Sequence, residues 1–155
     1  MLRSLLALTA CVLLVSCTGT DKELPSVTSS SEVAAPGTQG DFEKNVANTV
    51  YFGFDRYNID TRSEEVLSGV ASWLKTYSGY SVCVEGHTDR VGTAEYNLGL
   101  GSRRAESAKK FLVKSGVEAS RVTTISYGKE APADLGTTKE ADAANRRARI
   151  VLVNQ

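Results

Sequence analysis

Asp89 and Arg104 are the residues whose types and spacing hold the most chemistry in this chain. Asp89 stands in Gly86-His87-Thr88-Asp89-Arg90-Val91-Gly92, a polar stretch that reads as a loop after a strand. Arg104 falls about three turns into the helical pattern that follows. Asn97, Leu100 and Arg104 are spaced i, i+3, i+7 and so line one stripe of that helix. A helix returning along a sheet would bring the stripe back to the loop. A carboxylate and a guanidinium that meet there can form a structural ion pair, which contributes little when exposed. They can also take the ammonium and the carboxylate of a zwitterionic ligand. Spacing alone leaves both open.

Catalytic signals are poor. The sequence has neither a Gly-x-Ser-x-Gly elbow nor a Walker lysine loop. Gly99-Leu100-Gly101 lies inside a helical pattern and lacks a third glycine, which fits close packing better than phosphate binding. His87 is the sole histidine, too few for a zinc site built on histidines, and reads as a hydrogen-bonded loop residue. Cys83, in Ser81-Val82-Cys83-Val84-Glu85, reads as a small packed side chain. The expectation is a noncatalytic chain without metal or cofactor.

The elements that must position Asp89 and Arg104 follow from periodicity. Thr49–Phe54 reads as a strand with Val50, Phe52 and Phe54 on one face. Residues 62–77 repeat apolar positions at helical spacing (Val66, Leu67, Val70, Ala71, Trp73, Leu74, Tyr77), with Thr61 and Glu64 at capping-box spacing and Gly79 as the stop. Residues 81–85 form a second strand. A long helix is predicted from Ala94 to Ser115, stopped by Gly116, with a seam of Leu98, Gly101, Ala105, Ala108 and Leu112. Small residues there let a helix lie close to a sheet. Val122–Tyr127 is the third strand. A short helix ending near Asn145 is opened by Thr137 and Glu140, and Arg147–Val153 is the fourth strand. The order β-α-β-α-β-(α)-β predicts an α/β layer fold. The last two strands lack a long crossover helix, so the sheet should be mixed.

The whole chain has 155 residues, 41% hydrophobic and 23% charged, with 18 basic and 18 acidic side chains. That is ordinary globular composition. Zero net charge argues against nucleic acid as a partner. Three cysteines are too few for a disulfide scaffold. No apolar run reaches the roughly 20 residues of a membrane-spanning helix.

Residues 1–16 have the shape of a signal peptide, with Arg3 ahead of an apolar run from Leu5 to Val15. Leu14-Val15-Ser16-Cys17 resembles a bacterial lipobox. The resemblance implies cleavage before Cys17 and lipid on it, and multiple acyl chains make such anchoring stable. Thr18 after the cysteine, in place of Asp, favours the outer membrane by the sorting rule of enteric bacteria. Removing residues 1–16 leaves 139, with 17 basic and 18 acidic side chains. Residues 17–40 read as the lipidated cysteine and a flexible tether: thirteen of the 23 residues at 18–40 are Ser, Thr, Gly or Pro. Such a tether spans about 25–30 Å relaxed and about 80 Å stretched. Residues 41–155 then form one domain.

Residues 48–155 resemble the OmpA-like domain family, and within it the peptidoglycan-associated lipoproteins. The resemblance rests on Val50-Tyr51-Phe52-Gly53-Phe54-Asp55, Val84-Glu85-Gly86-His87-Thr88-Asp89 and Glu95-Tyr96-Asn97, and on Leu100-Gly101-Ser102-Arg103-Arg104-Ala105. It continues through Ser126-Tyr127-Gly128-Lys129-Glu130-Ala131-Pro132 and Asn145-Arg146-Arg147-Ala148. The helix fits the family pattern Asn-x-x-Leu-(Ser/Gly)-x-x-Arg-Ala. Many relatives carry Glu where Ser102 stands, and residues 133–144 match more loosely.

The resemblance implies a two-layer sandwich with helices packed on a mixed four-stranded sheet. It implies that Asp89 and Arg104 hold the diaminopimelate of a peptidoglycan stem peptide, Asp89 by its ammonium and Arg104 by its carboxylate. Asp55 and Phe54 would belong to the same pocket, with Thr88, Asn97 and Leu100 at its rim and Arg147 as a further member. It also implies a domain in the periplasm, tied to the outer membrane by the lipid anchor, with TolB and other Tol proteins as partners during envelope constriction and cell division. A surface-exposed adhesin binding a host molecule is the alternative. A cell-wall hydrolase is disfavoured because no nucleophile–base set is evident.

Overall fold

The computed structural model describes residues 34–153. The signal segment 1–16, the lipidation of Cys17 and the tether as far as residue 33 lie outside the described residues. The elements run α1 (Gln39–Asn45), β1 (Thr49–Tyr51), α2 (Thr61–Thr76), β2 (Ser81–His87) and α3 (Ala94–Lys114). A 3-10 turn (Ala119–Arg121), β3 (Val122–Gly128), α4 (Lys139–Asn145) and β4 (Arg147–Val153) follow. The sheet order is β1-β4-β2-β3. β2 and β3 are parallel, while β4 is antiparallel to both β1 and β2. The sheet is therefore mixed and four-stranded, with α2 and α3 packed on one face.

The alternation of β4 shows how that face is built. Ala148, Ile150 and Leu152 enter the core, and Arg147, Arg149 and Val151 point the other way. Val82 and Val84 of β2 join them, with Leu67, Val70 and Leu74 from α2 and Ala105, Ala108 and Leu112 from α3. Cys83 lies on the opposite face of β2 and is only half-buried, so it does not pack in this core.

Both long helices have local reasons to start and stop. Asp60 caps α2, its carboxylate accepting the Ser63 N–H at 2.8 Å. That bond holds the Asp60 carboxyl below its ordinary range. The cap lies one residue before the predicted Thr61, because the aspartate reaches the orphan N–H first. α2 ends at Thr76 with Tyr77 as its cap, ahead of Gly79. Thr93 caps α3 by accepting the Tyr96 N–H. At its other end, Gly116 takes φ 94°. Gly116 N–H donates to Val113 O and Val117 N–H to Leu112 O, the Schellman pattern that needs a left-handed residue there. Thr138, not Thr137, caps α4.

Two differences from the sequence reading concern strand and helix ends. β1 ends at Tyr51. Phe52 is still buried and hydrogen-bonded to Arg146 O, but the chain then turns and leaves Phe54 62% exposed. β2 runs through His87, which belongs to the strand end and not to a loop.

One helix had no signal. Residues 34–40, read as tether, pack on the domain: α1 begins at Gln39 and buries Phe42 against Trp73, ring centroids 5.0 Å apart. Trp73 Nε1 donates to Asp41, and the Tyr80 hydroxyl donates to Gly37 O. A seven-residue helix with one buried apolar side chain offers no period to read.

Candidate functional site

Gly86 of β2 and Gly101 of α3 decide where the site forms. A Cβ on Gly86 would collide with the Gly101 carbonyl, and one on Gly101 would lie 2.9 Å from Gly86 O. Helix and strand thus touch backbone to backbone, as the small-residue seam predicts. The seam differs at its start. Gly101, Ala105, Ala108 and Leu112 are buried, but Leu98 is half exposed, and Asn97, Leu100 and Arg104 turn inward. The first turns of α3 face the loops at the sheet's end, so the inward stripe there is polar.

Those turns, the loop after β2 and the turn after β1 enclose a cavity of about 260 Å³. Phe54, Asp55, Asp89, Val91, Gly92, Tyr96, Asn97 and Leu100 line it. Five of the residues singled out from sequence are among them: Asp89, Asp55, Phe54, Asn97 and Leu100. Asp89 is only 6% exposed. Its Oδ1 accepts the Val91 N–H at 3.1 Å, and its Oδ2 faces Arg146 Nη1 at 3.3 Å. Asn97 Nδ2 donates to Val91 O and Thr93 O, which pins the loop carrying Asp89 to the start of α3. Asp55 adopts φ 55°, a left-handed conformation unusual for a side-chain-bearing residue. Its carboxylate accepts the Tyr96 hydroxyl across the cavity wall. That hydrogen bond raises the Tyr96 phenol above its ordinary range.

Arg104 is fully buried and does not line the cavity. Its Nε donates to Arg56 O at 2.8 Å, Nη1 to His87 O at 2.8 Å and Nη2 to Gly53 O at 3.1 Å. The guanidinium packs over the Phe52 ring at 5.2 Å. It therefore ties the turn after β1 to the end of β2. Burial lowers its pKa to about 10, with nearby Asp89 opposing the shift, so it stays charged at neutral pH. The ion-pair partner of Asp89 is Arg146 and not Arg104.

Two other expectations meet a different geometry. Thr88 is buried beside the cavity without lining it: its N–H donates to Gly128 O, and its hydroxyl donates to Asp89 O. Arg147 points to the sheet face away from the helices, where Nη2 reaches Ala131 O and burial lowers its pKa. Its neighbour Arg146, the cap of α4 one residue before the strand begins, takes the place by Asp89. Arg146, Tyr96, Val91 and Gly92 were not read as site residues. Tyr96 was legible in principle, four residues before Leu100 on one helical stripe. Arg146 carried no periodic signal.

His87 is buried with its ring stacked on Tyr127 at 5.4 Å. Burial and then Arg147 lower its pKa to about 4, which keeps it neutral at pH 7. Among the described residues, no three His, Cys, Asp or Glu side chains gather as a metal site needs. The site is thus two carboxylates on a small, partly apolar cavity, with two guanidiniums built into its surroundings. Such an arrangement can hold an ammonium-bearing zwitterion by charge-assisted hydrogen bonds.

Comparison with known proteins bears on the family and the fold. The OmpA family model matches residues 51–146. A peptidoglycan-associated lipoprotein of Agrobacterium fabrum is 45% identical over 119 residues, covering 77% of this chain and 67% of that protein. One from Pasteurella multocida is 50% identical over 101 residues, covering 65% and 67%. The crystal structure of the peptidoglycan-associated lipoprotein from Burkholderia pseudomallei superposes with a TM-score of 0.67 at 37% identity, covering 69% of this chain and 91% of that one. The C-terminal domain of Helicobacter pylori MotB, at 20% identity and a TM-score of 0.65, shares the fold. The chain belongs to the OmpA family and, within it, to the peptidoglycan-associated lipoproteins.

Proposed function

We propose that this chain is a noncatalytic clamp that grips peptidoglycan through the diaminopimelate of the stem peptide. The observation that carries the reading is Asp89, almost buried yet opening on a cavity of about 260 Å³. Its carboxylate receives the ligand's ammonium, and Asp55 adds negative charge at the mouth. Arg104 receives the carboxylate. Three of its five N–H groups are engaged, and the bond to Gly53 O, at 3.1 Å the longest, is the one the ligand replaces. Phe54, Val91 and Leu100 flank the ligand's methylene chain, Asn97 and Thr88 hold the loop, and Arg146 balances Asp89 before binding. Arg147 remains outside the pocket.

Lipid on Cys17 fixes the other end of the chain in the outer membrane, with the domain in the periplasm. The protein thereby couples outer membrane to wall. In this reading TolB and other Tol proteins compete with the wall for the domain during envelope constriction and division.

The test is co-sedimentation with isolated peptidoglycan sacculi of the diaminopimelate type, using the chain from residue 18 onward. Wild type should pellet. Asp89→Asn and Arg104→Lys, with folding verified by circular dichroism, should stay in solution. Wild type remaining in solution would defeat the wall-anchor reading. Full binding by folded Asp89→Asn would defeat the site assignment.

A further inference from the structure

Arg103, next to the buried Arg104, points outward and is held in an unusual way. Its guanidinium carbon lies 5.7 Å from the Tyr57 ring centroid and 5.9 Å from that of Tyr96. Among the described residues, no carboxylate comes within ion-pair distance of it. Gly99, one turn earlier, has no side chain to cover it; a Cβ there would lie 3.6 Å from Nη1. The result is an exposed cation with no carboxylate within ion-pair distance among the described residues, set against two aromatic rings.

Its position matters because Tyr96 lines the cavity on its other side. A hollow of about 310 Å³ adjoins Arg103, lined also by Tyr57, Ser102, Glu106, Ser107 and Lys110. A cavity of about 260 Å³ holds one amino-acid end, so the rest of a stem peptide must leave over the rim. On the α3 side that rim is Tyr96, and Arg103 lies against its ring.

We propose that Arg103 is a second subsite, taking the free α-carboxylate of the residue that precedes diaminopimelate. This rests on the reading of the cavity as the diaminopimelate site. In the stem peptide that residue is a D-glutamate joined through its γ-carboxyl, so its α-carboxylate is free and sits one amide from the diamino acid. The γ-linkage sets that carboxylate at the end of the glutamate's own flexible carbon chain, beyond the amide, which gives it the reach to pass over the Tyr96 ring toward Arg103. A guanidinium clamped between two rings loses little freedom when it binds, and its planar fork suits a carboxylate. Glu106 and Lys110 bring opposite charges to the rest of the hollow, so Arg103 is its only cation set against the Tyr96 rim. The consequence is discrimination between wall whose stem glutamate is free and wall in which it is amidated to isoglutamine.

The test is calorimetric titration of the chain from residue 18 onward, as wild type and as Arg103→Gln. Three ligands are used: meso-diaminopimelate, the tripeptide L-Ala-γ-D-Glu-meso-diaminopimelate, and the same tripeptide carrying D-isoglutamine. Wild type should prefer the free acid over the amide by about fivefold, the scale of an exposed charge pair, and less at high salt. Arg103→Gln should lose that preference and bind diaminopimelate alone as wild type does. If wild type binds diaminopimelate but shows no preference, or Arg103→Gln keeps it, Arg103 is not the subsite. If wild type fails to bind diaminopimelate at all, the cavity reading fails and takes this proposal with it.

Discussion

The two halves of α3 are built on opposite rules. From Ala105 onward its buried face is Ala105, Ala108 and Leu112, packed on Val82, Val84 and α2. Before that point the buried face is Asn97, Leu100, Gly101 and Arg104. The same contrast runs along β2, from Val82 and Val84 to His87 and then Thr88 and Asp89. Six of the seven buried polar residues among those described gather at this second end: His87, Thr88, Asp89, Asn97, Arg104 and Asn145. Asn145 alone accepts from Ala133 N–H and Asp134 N–H and donates to Asp134 O, holding the loop before α4. One end of the layer is held by burial, which is tolerant of detail. The other is held by directional bonds, which fix loop positions to the accuracy that binding needs.

Truncation separates the two rules most sharply. Arg104→Met removes the donor from three carbonyls, Gly53 O and Arg56 O in the turn after β1 and His87 O at the end of β2. A loss of about 3–5 kcal/mol in urea unfolding is expected, with binding to sacculi abolished. Leu112→Ala should cost about 2–4 kcal/mol through its cavity. The protein that remains folded should still bind. Equal loss of binding in both variants, measured at matched folded fractions, would mean that the site end has no separate role.

Acid should act on one end only. His87 is neutral in the fold, with its pKa lowered from 6.5 to about 4, so the unfolded chain binds its proton first as pH falls. Stability contributed by this group is whole above pH 6.5 and is lost progressively between 6.5 and about 4. A loss on the order of 2 kcal/mol is expected across that window. His87→Gln should flatten this part of the stability–pH curve. Because His87 O accepts from Arg104, amide hydrogen exchange at pH 4.5 should rise first around residues 86–104.

These contrasts also say what was legible beforehand. The strand and helix order, the mixed sheet and the tight Gly101 seam follow from periodicity, because burial repeats along the chain. The first turns of α3 and Phe54 differ from the sequence reading because apolarity is not inwardness where the inward side is an open cavity holding Asp89 and Asn97. α1 was missed because one buried Phe42 has no period. Asp89 and Arg104 stand out by type and spacing, while Asp55 and the ligand roles come only from the motif resemblance. The Asp89–Arg146 pair and the outward Arg147 depend on where α4 ends and β4 begins, and a one-residue shift of that boundary would exchange the two arginines.

The finest division lies inside the site, between the hydroxyl and the ring of Tyr96. Tyr96→Phe removes the hydroxyl, which donates to Asp55 and also meets the Arg103 guanidinium, and leaves the ring beside Arg103. Both residues are exposed, so the midpoint of thermal unfolding should hardly move. Asp55 would still occupy its left-handed backbone position, but its carboxylate would no longer be held at the cavity mouth. Diaminopimelate affinity should therefore fall about two- to fivefold, the worth of one ordinary hydrogen bond. The preference for free over amidated stem glutamate should persist, since the ring that steadies Arg103 is intact. If the preference vanished with the hydroxyl, the Asp55 carboxylate and the Arg103 clamp would be one coupled unit. If affinity were unchanged, Asp55 would owe its conformation to the turn alone and Tyr96 would be only a wall.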